Sequence, residues 1–379
     1  MESMPAVENI YGFAKIKNDE IIFTINSGQS QNLNIKNGIV KLKDLDSNFE
    51  NADVFLEIFS SNQDVINYLD TSPINKKKFS KLRNIRGDTK IDLNLKFPLL
   101  VDLPTERIIY DSNVAIVNST FQNIFNNHDL NDFYLNIQIN NSKVFYNGGG
   151  KLFNSYTEFS GEQSNINEIF KDEIKGKYIL KPSFTEYFFP EGDFIIQGES
   201  EILYNIIEDN NGFSKIEGLG DLENLNLKSD FLGPNLDFNN GKLRFLIRPY
   251  DNSFSGFADI KTSNLNVEVN SIFNLTKLIE LDVQTFKSPK QDFNLKYEGE
   301  NNTFLINANK LSLDSIDIIE EDNFKMENFE LDLKINDFKI GDMKFSNSII
   351  YAKKLNDVFQ KISVSLVGEN DFHKLSISD

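Results

Sequence analysis

The run Gly148-Gly149-Gly150-Lys151 comes closest in this chain to a phosphate-binding loop. Such a loop cradles phosphate with backbone amides, and it needs a spaced glycine before the lysine and a Ser or Thr directly after it. Here Leu152 follows the lysine, and the spaced glycine is missing. The sequence therefore predicts a hairpin turn at the glycine run and no nucleotide site.

Asp44, Asp46 and Asn48 have the spacing with which a calcium-binding EF-hand loop begins. The sixth position of that loop requires glycine for a sharp turn, and the twelfth requires a glutamate that closes around the ion. This chain has Phe49 and Phe55 at those positions. The spacing therefore predicts no metal centre.

Carboxylates are adjacent at Glu208-Asp209 and at Glu320-Glu321-Asp322. Paired carboxylates hydrolyse glycosides when a cleft holds one on each side of the scissile bond. Nothing in the sequence fixes such a pair, and Trp, which often stacks on sugars, is absent. Both clusters are predicted to be solvated charges on loops.

The chain has no Cys and only two His, His128 and His373, which lie far apart in sequence. The missing Cys excludes disulfides, thiolate metal sites and Cys nucleophiles. Two distant His leave most imidazole-based metal and acid–base sites without their residues. We therefore expect a protein that is not an enzyme, with no catalytic residue, no cofactor and no metal.

One markedly basic run begins at Lys76, Lys77 and Lys78 and continues to Arg86. Basic clusters of this kind contact anionic lipid headgroups or an acidic partner. Most charge runs, however, only solvate a surface. The sequence leaves both interpretations open.

Over 379 residues, 39 Lys and Arg oppose 57 Asp and Glu, which gives a net charge of −18. This balance argues against nucleic acid as a partner, because a nucleic-acid binder needs a cationic surface. No run approaches the ~20 apolar residues of a membrane-spanning helix, and the first residues lack the apolar core of a signal peptide. As written, the chain is expected to be soluble, and either cytoplasmic or a piece of something longer.

Apolar and polar residues alternate with a period of two in many segments. Because successive side chains of a strand point to opposite faces, each such segment has one apolar and one polar face. This pattern is typical of half-buried antiparallel sheet. Turn residues such as Asn37-Gly38, Asn211-Gly212, Asn240-Gly241 and Gly341-Asp342 separate the segments, and the pattern predicts about twenty strands.

Helical signals are few and short, at residues 62–69, 75–82, 166–174 and 271–278. None is long enough to cover a large sheet, so the apolar face must be buried in another way. Two sheets can pack as a sandwich, a sheet can close into a barrel, or it can curl into a trough that holds an apolar ligand. The alternation alone does not choose among these three.

Residues 53–160 resemble the AsmA-like superfamily, in its YhdP-type branch. The order that carries the resemblance is a strand, a short helix, Ser-Pro, Gly, an alternating strand with Pro-Leu, and a further strand. In this chain these are DVFLEI at 53–58, a helix ending at Tyr68-Leu69, Ser72-Pro73, Ile85-Arg86-Gly87, KIDLNLKFPL at 90–99 and NVAIVN at 113–118. The segment FELDLKINDFKIG at 329–341 has the cadence of the family's late repeats.

The resemblance implies a bridge-like protein of the periplasm that passes phospholipid between the inner and outer membranes. It implies a mainly β fold, an elongated and curled antiparallel sheet with an apolar groove and a few short helices. Residues 1–52 would be N-terminal strands that continue the sheet, 53–160 the family-like segment, and 161–379 further groove repeats. The family's N-terminal membrane helix is not present in this chain, so we expect an internal or truncated segment that reaches the membrane through the missing anchor or through other envelope proteins.

The alternating apolar residues are the candidates for the lining of such a groove. They are Ile91, Leu93, Leu95, Phe97, Leu135, Ile137, Ile139, Leu243, Phe245, Ile247, Leu265, Val267, Val269, Phe293, Leu295, Leu331, Leu333 and Ile335.

Two alternatives stay open. The first is a structural or adhesive β-sandwich or β-solenoid that buries the same stripes against protein and has no lipid ligand. The second is a carbohydrate-active β protein, which would need convergent carboxylates that the sequence does not display.

Overall fold

The computed structural model describes the chain outside residues 1–4, 48, 72–82, 126–127, 167–168, 184–194, 211, 230–232, 239, 275–276, 314–327, 357, 369–371 and 379. The chain divides into two compact units. The first unit runs to Lys177 and includes Glu208–Asn210, and the second comprises Tyr178–Ile207 and Asn211–Asp379. The prediction of a mainly β protein is confirmed.

In the first unit, strands pair antiparallel with their neighbours in chain order from β1 to β9, and β10 pairs with β9. The strands are β1 (Glu8–Lys17), β2 (Glu20–Ser30), β3 (Leu33–Lys43), β4 (Asn51–Ser61), β5 (Ile85–Pro98), β6 (Ile109–Phe125), β7 (His128–Asn140), β8 (Lys143–Leu152), β9 (Ser155–Ile166) and β10 (Ile169–Leu180). The helix α1 (Asn62–Thr71) follows β4, and a 3₁₀ turn occupies Thr105–Arg107.

The later strands are β11 (Ile195–Gln197), β12 (Ser200–Asp209), β13 (Gly212–Asp221), β14 (Asn226–Ser229), β15 (Gly233–Asp237), β16 (Lys242–Tyr250), β17 (Ser253–Lys261), β18 (Asn266–Phe273), β19 (Leu278–Lys287), β20 (Asp292–Glu298), β21 (Thr303–Leu313), β22 (Phe329–Ile340), β23 (Met343–Leu355), β24 (Val358–Gly368) and β25 (Phe372–Ser378). β13 pairs with β16, and the ladder then follows chain order to β25. All of these pairs are antiparallel except β21 with β22. A parallel pair needs a long connection, and residues 314–328 supply it. A separate three-stranded sheet joins β11, β14 and β15.

The helix predicted at residues 62–69 is confirmed as α1. Ser61 caps it, because the Ser61 Oγ accepts a hydrogen bond of 3.2 Å from the backbone N–H of Asp64. Its apolar side places Val65 and Tyr68 on the buried cluster that contains Ile58. α1 is therefore a local cover for one part of the sheet.

The other helix predictions fare differently. The one at residues 75–82 lies outside the described residues. Those at 166–174 and 271–278 are wrong. The described part of the first segment lies at the end of β9 and in β10, and that of the second lies in the adjoining ends of β18 and β19. A short helical signal is a weak local preference, and pairing with neighbouring strands overrides it.

Two of the predicted turns are also wrong, because Gly38 lies inside β3 and the run Gly148–Gly150 lies inside β8. These glycines make room for neighbours. A Cβ at Gly38 would come within 2.6 Å of Leu56 Cδ2, and one at Gly150 within 2.8 Å of Leu130 Cγ. The predictions at Asn240-Gly241 and Gly341-Asp342 are confirmed, since both dipeptides separate strands and both Asn240 and Gly341 have positive φ.

Several Asn and Asp residues inside the strands have positive φ, and they bend the strands at these positions. Asn118, Asp132 and Asn347 each have a φ of 49° at, or next to, places where the ladder register shifts. A bulge needs one residue in the left-handed region, and Asn and Asp tolerate it better than other non-glycine residues. Part of the Asn content therefore sets sheet curvature.

Replacing Asn347 tests this role. Asn347→Gly should leave the free energy of unfolding nearly unchanged, while Asn347→Val should lower it by about 1–3 kcal/mol, because a β-branched residue is strained at positive φ. Denaturant unfolding measures both variants. Asn294→Val, at an exposed position of β20 with ordinary backbone, is the control and should change little. If Asn294→Val and Asn347→Val lowered the free energy of unfolding equally, the bulge assignment would be contradicted.

The glycine run gives a second prediction. Gly150→Ala should destabilise the fold by about 1–3 kcal/mol through overpacking against Leu130. Gly28→Ala is the matched control inside β2, because its Cβ would meet Ile10, Ile35 and Val7 only at ordinary distances of 3.6–3.7 Å. Thermal unfolding compares the two, and a Gly150→Ala protein as stable as the control would refute the packing role.

Candidate functional site: the apolar strip

Strand register places apolar residues of the second unit in two continuous rows that cross the strands. Residues paired across a ladder present their side chains on the same face. One row comprises Gly218, Phe245, Ala258, Val269, Val283, Leu295, Ile306, Leu333, Ile350 and Val364. The other comprises Ile216, Ile247, Gly256, Ser271, Leu281, Tyr297, Phe304, Leu331, Ala352 and Ile362. We call these two rows the apolar strip.

The side chains of the apolar strip are neither fully exposed nor fully buried. Apart from Gly218 and Val283, which are buried, all its residues are half-buried. Two of its residues, Leu333 and Ile350, pack against the buried cluster of Ala308, Ile335, Phe338 and Ile340. The strip is therefore an apolar surface ten strands long, most of which stays partly accessible.

An adjacent row shows what a covered surface looks like. Leu243, Ile260, Val267 and Phe286 face one another across β16 to β19 and pack against a buried cluster. The buried members of that cluster are Leu180, Leu222, Leu225, Leu227, Phe238 and Leu265, several of them on or beside the three-stranded sheet. The small sheet thus covers one margin of the apolar face, and the apolar strip lies next to that margin, outside the covered cluster.

On the apolar face of the first unit, side-chain burial also changes along the strands. The row Ile116, Leu135, Gly148 and Phe159 belongs to a buried cluster or packs on it. Towards the other strand ends, Leu56 pairs with Leu93, and Val54 pairs with Leu95, and all four residues are half-buried. Leu56 packs on the buried cluster that contains Ile58, whereas Val54, Leu93 and Leu95 lie outside the buried clusters, so burial decreases towards these strand ends.

The predicted groove residues divide between these two environments. Nine lie in or against buried clusters: Ile91, Leu135, Ile137, Leu243, Leu265, Val267, Phe293, Leu333 and Ile335. Nine are half-buried and outside those clusters: Leu93, Leu95, Phe97, Ile139, Phe245, Ile247, Val269, Leu295 and Leu331. Lys76, Lys77 and Lys78 lie outside the described residues.

Sequence reasoning missed several members of the apolar strip. Ile362 and Val364 on β24 alternate with serines as clearly as the named segments do, so the same period-two signal would have found them. Phe304 and Ile306 on β21 flank Leu305, and this apolar run hides the alternation. Ile350 is harder to find, because Ile349 precedes it and faces the other side.

The described residues contain no group of three or more Asp, Glu, His or Cys placed to hold a metal ion. Glu320-Glu321-Asp322 lies outside the described residues, and Glu208-Asp209 ends β12. His128 opens β7, with its ring 5.0 Å from that of Phe153.

The face opposite the apolar strip is hollowed. A concavity of about 330 Å³ lies there, bordered by Leu246, Arg248, Phe257, Asn270 and Asp282. Its neighbour Asp259, which is 3 % exposed, forms ion pairs with Arg244 and Lys261. Burial opposes ionisation of Asp259, but the two cations outweigh it and hold its pKa below the usual range.

A polar pair interrupts the apolar face of the first unit. The hydroxyl of Tyr146, whose row neighbour is Ile137, donates a hydrogen bond to the buried carboxylate of Asp172. Burial, and then the hydrogen bond and charge of Asp172, raise the pKa of Tyr146 far above its ordinary value of 10. The tyrosine is therefore held in its neutral form by the fold.

This raised pKa gives a pH dependence. Above pH 10 the unfolded state ionises its tyrosine while the folded state does not, so stability should fall as pH rises further. Tyr146→Phe removes this contribution and should give a shallower decline, by up to about 1.4 kcal/mol per pH unit. Denaturant unfolding between neutral pH and pH 11 compares the two proteins, and identical slopes would contradict the assignment.

Comparisons of the chain with protein-family models, with curated proteins and with solved structures give no match. The AsmA-like resemblance therefore stays a prediction. In the part of the chain that the structure describes, no helix has the length and apolarity needed to cross a membrane.

Proposed function

We propose that the apolar strip binds the acyl chains of phospholipid and conducts them along its length, as one segment of a lipid path between two membranes. The observation that supports this is the row of apolar residues, all half-buried except Gly218 and Val283, that crosses every strand of the ladder from β13 to β24. The face bearing the strip is the wall of a groove in this proposal. Its location in a periplasm, anchored at the inner membrane, rests on the family resemblance.

The energetics favour such a ligand. Exposing a buried CH₂ to water costs ~0.8 kcal/mol, so two chains with ~30 methylenes cost on the order of 25 kcal/mol to expose. Nine strand spacings of ~4.8 Å make the strip roughly 43 Å long. A surface of that length can keep both chains out of water throughout a movement along it.

The chemistry of the strip also suits sliding. Hydrophobic contact has no preferred direction, so a lipid held by it meets no strongly binding position. Polar side chains in the two rows are few, and the Tyr297 hydroxyl is already engaged with Asn302 Oδ1 at 2.9 Å. The strip thus has few polar side chains that could hold a lipid headgroup at one position.

The competing proposal is a structural or adhesive β protein in which another protein layer covers the strip. The half-buried state of the strip is compatible with either a bound lipid or a covering protein layer. Bound lipid distinguishes them, because a protein cover requires no phospholipid.

Lipid loading is the direct test. After gentle purification, native mass spectrometry and lipid extraction should find at least one phospholipid bound per chain, released on unfolding. Incubation with labelled phospholipid should reload the emptied protein. A folded, monodisperse chain that takes up no lipid in either experiment would overturn the proposal and favour the structural protein.

Two substitutions on β21 locate the site. Ile306→Asp puts a charge in the apolar strip and should lower the amount of phospholipid bound, because burial of a carboxylate beside an acyl chain is strongly unfavourable. Leu305→Asp is the matched control: Leu305 is the adjacent residue, 40 % exposed and on the opposite face, where it pairs with Lys296. Circular dichroism confirms that both are folded. Equal loading of the two variants would contradict the assignment.

The first unit provides an independent pair of variants. Leu93→Asp combined with Leu95→Asp should abolish loading there, whereas Asn94→Asp, which changes the opposite face of β5, should not. If the folded double variant loads normally, the open rows of the first unit do not contact lipid.

A further inference from the structure

The polar face of the first unit carries a concavity of about 700 Å³ across β5 to β10, which we call the polar concavity. Two rows of paired residues form its floor. One contains Asn113, Gln138, Phe145 and Glu162, and the other contains Ala115, Asn136, Asn147 and Ser160. All eight lie on the side of the sheet opposite Leu93 and Ile137.

Neutral hydrogen-bonding groups dominate this floor. Asn136 Nδ2 donates to Asn147 Oδ1 at 3.1 Å, which leaves one donor group and one acceptor of that pair unused. Within the described residues, no protein group hydrogen-bonds the side-chain amides of Asn113 and Gln138. The concavity therefore presents planar amides whose donors and acceptors are open to a ligand.

The charges around the floor neutralise one another. Lys90 Nζ lies 3.0 Å from Glu57 Oε1 and 3.5 Å from Asp92 Oδ1. Lys175 Nζ lies 3.2 Å from Glu173 Oε1, and Lys171 and Lys175 hold the pKa of Glu173 below its usual range. Glu162 pairs with Lys143 in the same way. The paired charges leave no strong field that would select an anion or a metal cation.

One aromatic surface completes the lining. Phe145 is 38 % exposed between Gln138 and Glu162. The neighbouring row of the floor contains two small residues, Ala115 and Ser160, which keep the floor low beside the ring. The concavity thus combines an exposed ring with a recess next to it.

From these features we infer that the polar concavity binds a neutral oligosaccharide. Vicinal hydroxyls match amides that offer a donor and an acceptor together, and the C–H face of a pyranose packs on an aromatic ring. Acyl chains do not suit the polar floor, and nucleic acid does not suit a chain of net charge −18. This site lies on the opposite face of the first unit's sheet from Leu93 and Leu95, and it does not rest on the lipid proposal.

Calorimetric titration of the full chain with maltopentaose, cellopentaose and chitopentaose tests the inference. At least one should bind, and Gln138→Ala and Phe145→Ala should each weaken it by about tenfold, as loss of one well-made contact does. The matched controls are Asn307→Ala, an exposed amide of β21, and Phe359→Ala, an exposed ring of β24. Both controls should bind as the unaltered protein does.

The experiments distinguish failure of the oligosaccharide inference from failure of the lipid proposal. Absence of binding by all three oligosaccharides, or binding that Gln138→Ala and Phe145→Ala leave unchanged, overturns the inference. Ile306→Asp should retain oligosaccharide binding, and Phe145→Ala should retain lipid loading. Failure of one site is therefore distinguishable from failure of the other.

Discussion

The rest of this structure depends on the strict alternation of side chains across a hydrogen-bonded ladder. Once β16 pairs with β17 through Phe245 and Ala258, every second residue of each following strand must join the same face. A slip by one residue would carry Leu295 and Leu333 to the solvent side. The ladder thus aligns separate stripes, none longer than one strand, into rows that cross ten strands.

Alternation also makes the two faces chemically independent. Ile306 and Leu305 are neighbours in sequence, yet one lies in the apolar strip and the other faces Lys296. In the first unit, Ile137 faces the apolar side while Asn136 and Gln138 line the polar concavity. One sheet can therefore present an apolar surface and a hydrogen-bonding surface on opposite sides of the same strands.

Covering elements decide how much of the apolar face is left open. α1 closes part of the first unit through Val65 and Tyr68, and the three-stranded sheet closes one margin of the second. Both are small beside the faces they cover. Bulges at residues such as Asn118, next to which Ser119 Oγ donates to the Phe133 carbonyl, bend the strands around the closed clusters.

The sequence by itself determined the strands, their apolar faces and α1, because alternation at Leu93 and Leu95 or at Leu331 and Leu333 is a local property of the chain. It could not separate Leu135, which is buried, from Leu93, which is half-buried, since the difference lies in what packs above them. Gly148–Gly150 was mistaken for a turn because glycine serves close packing as well as positive φ. Only the tertiary structure decided which strands became neighbours, and that choice of register made both the apolar strip and the polar concavity.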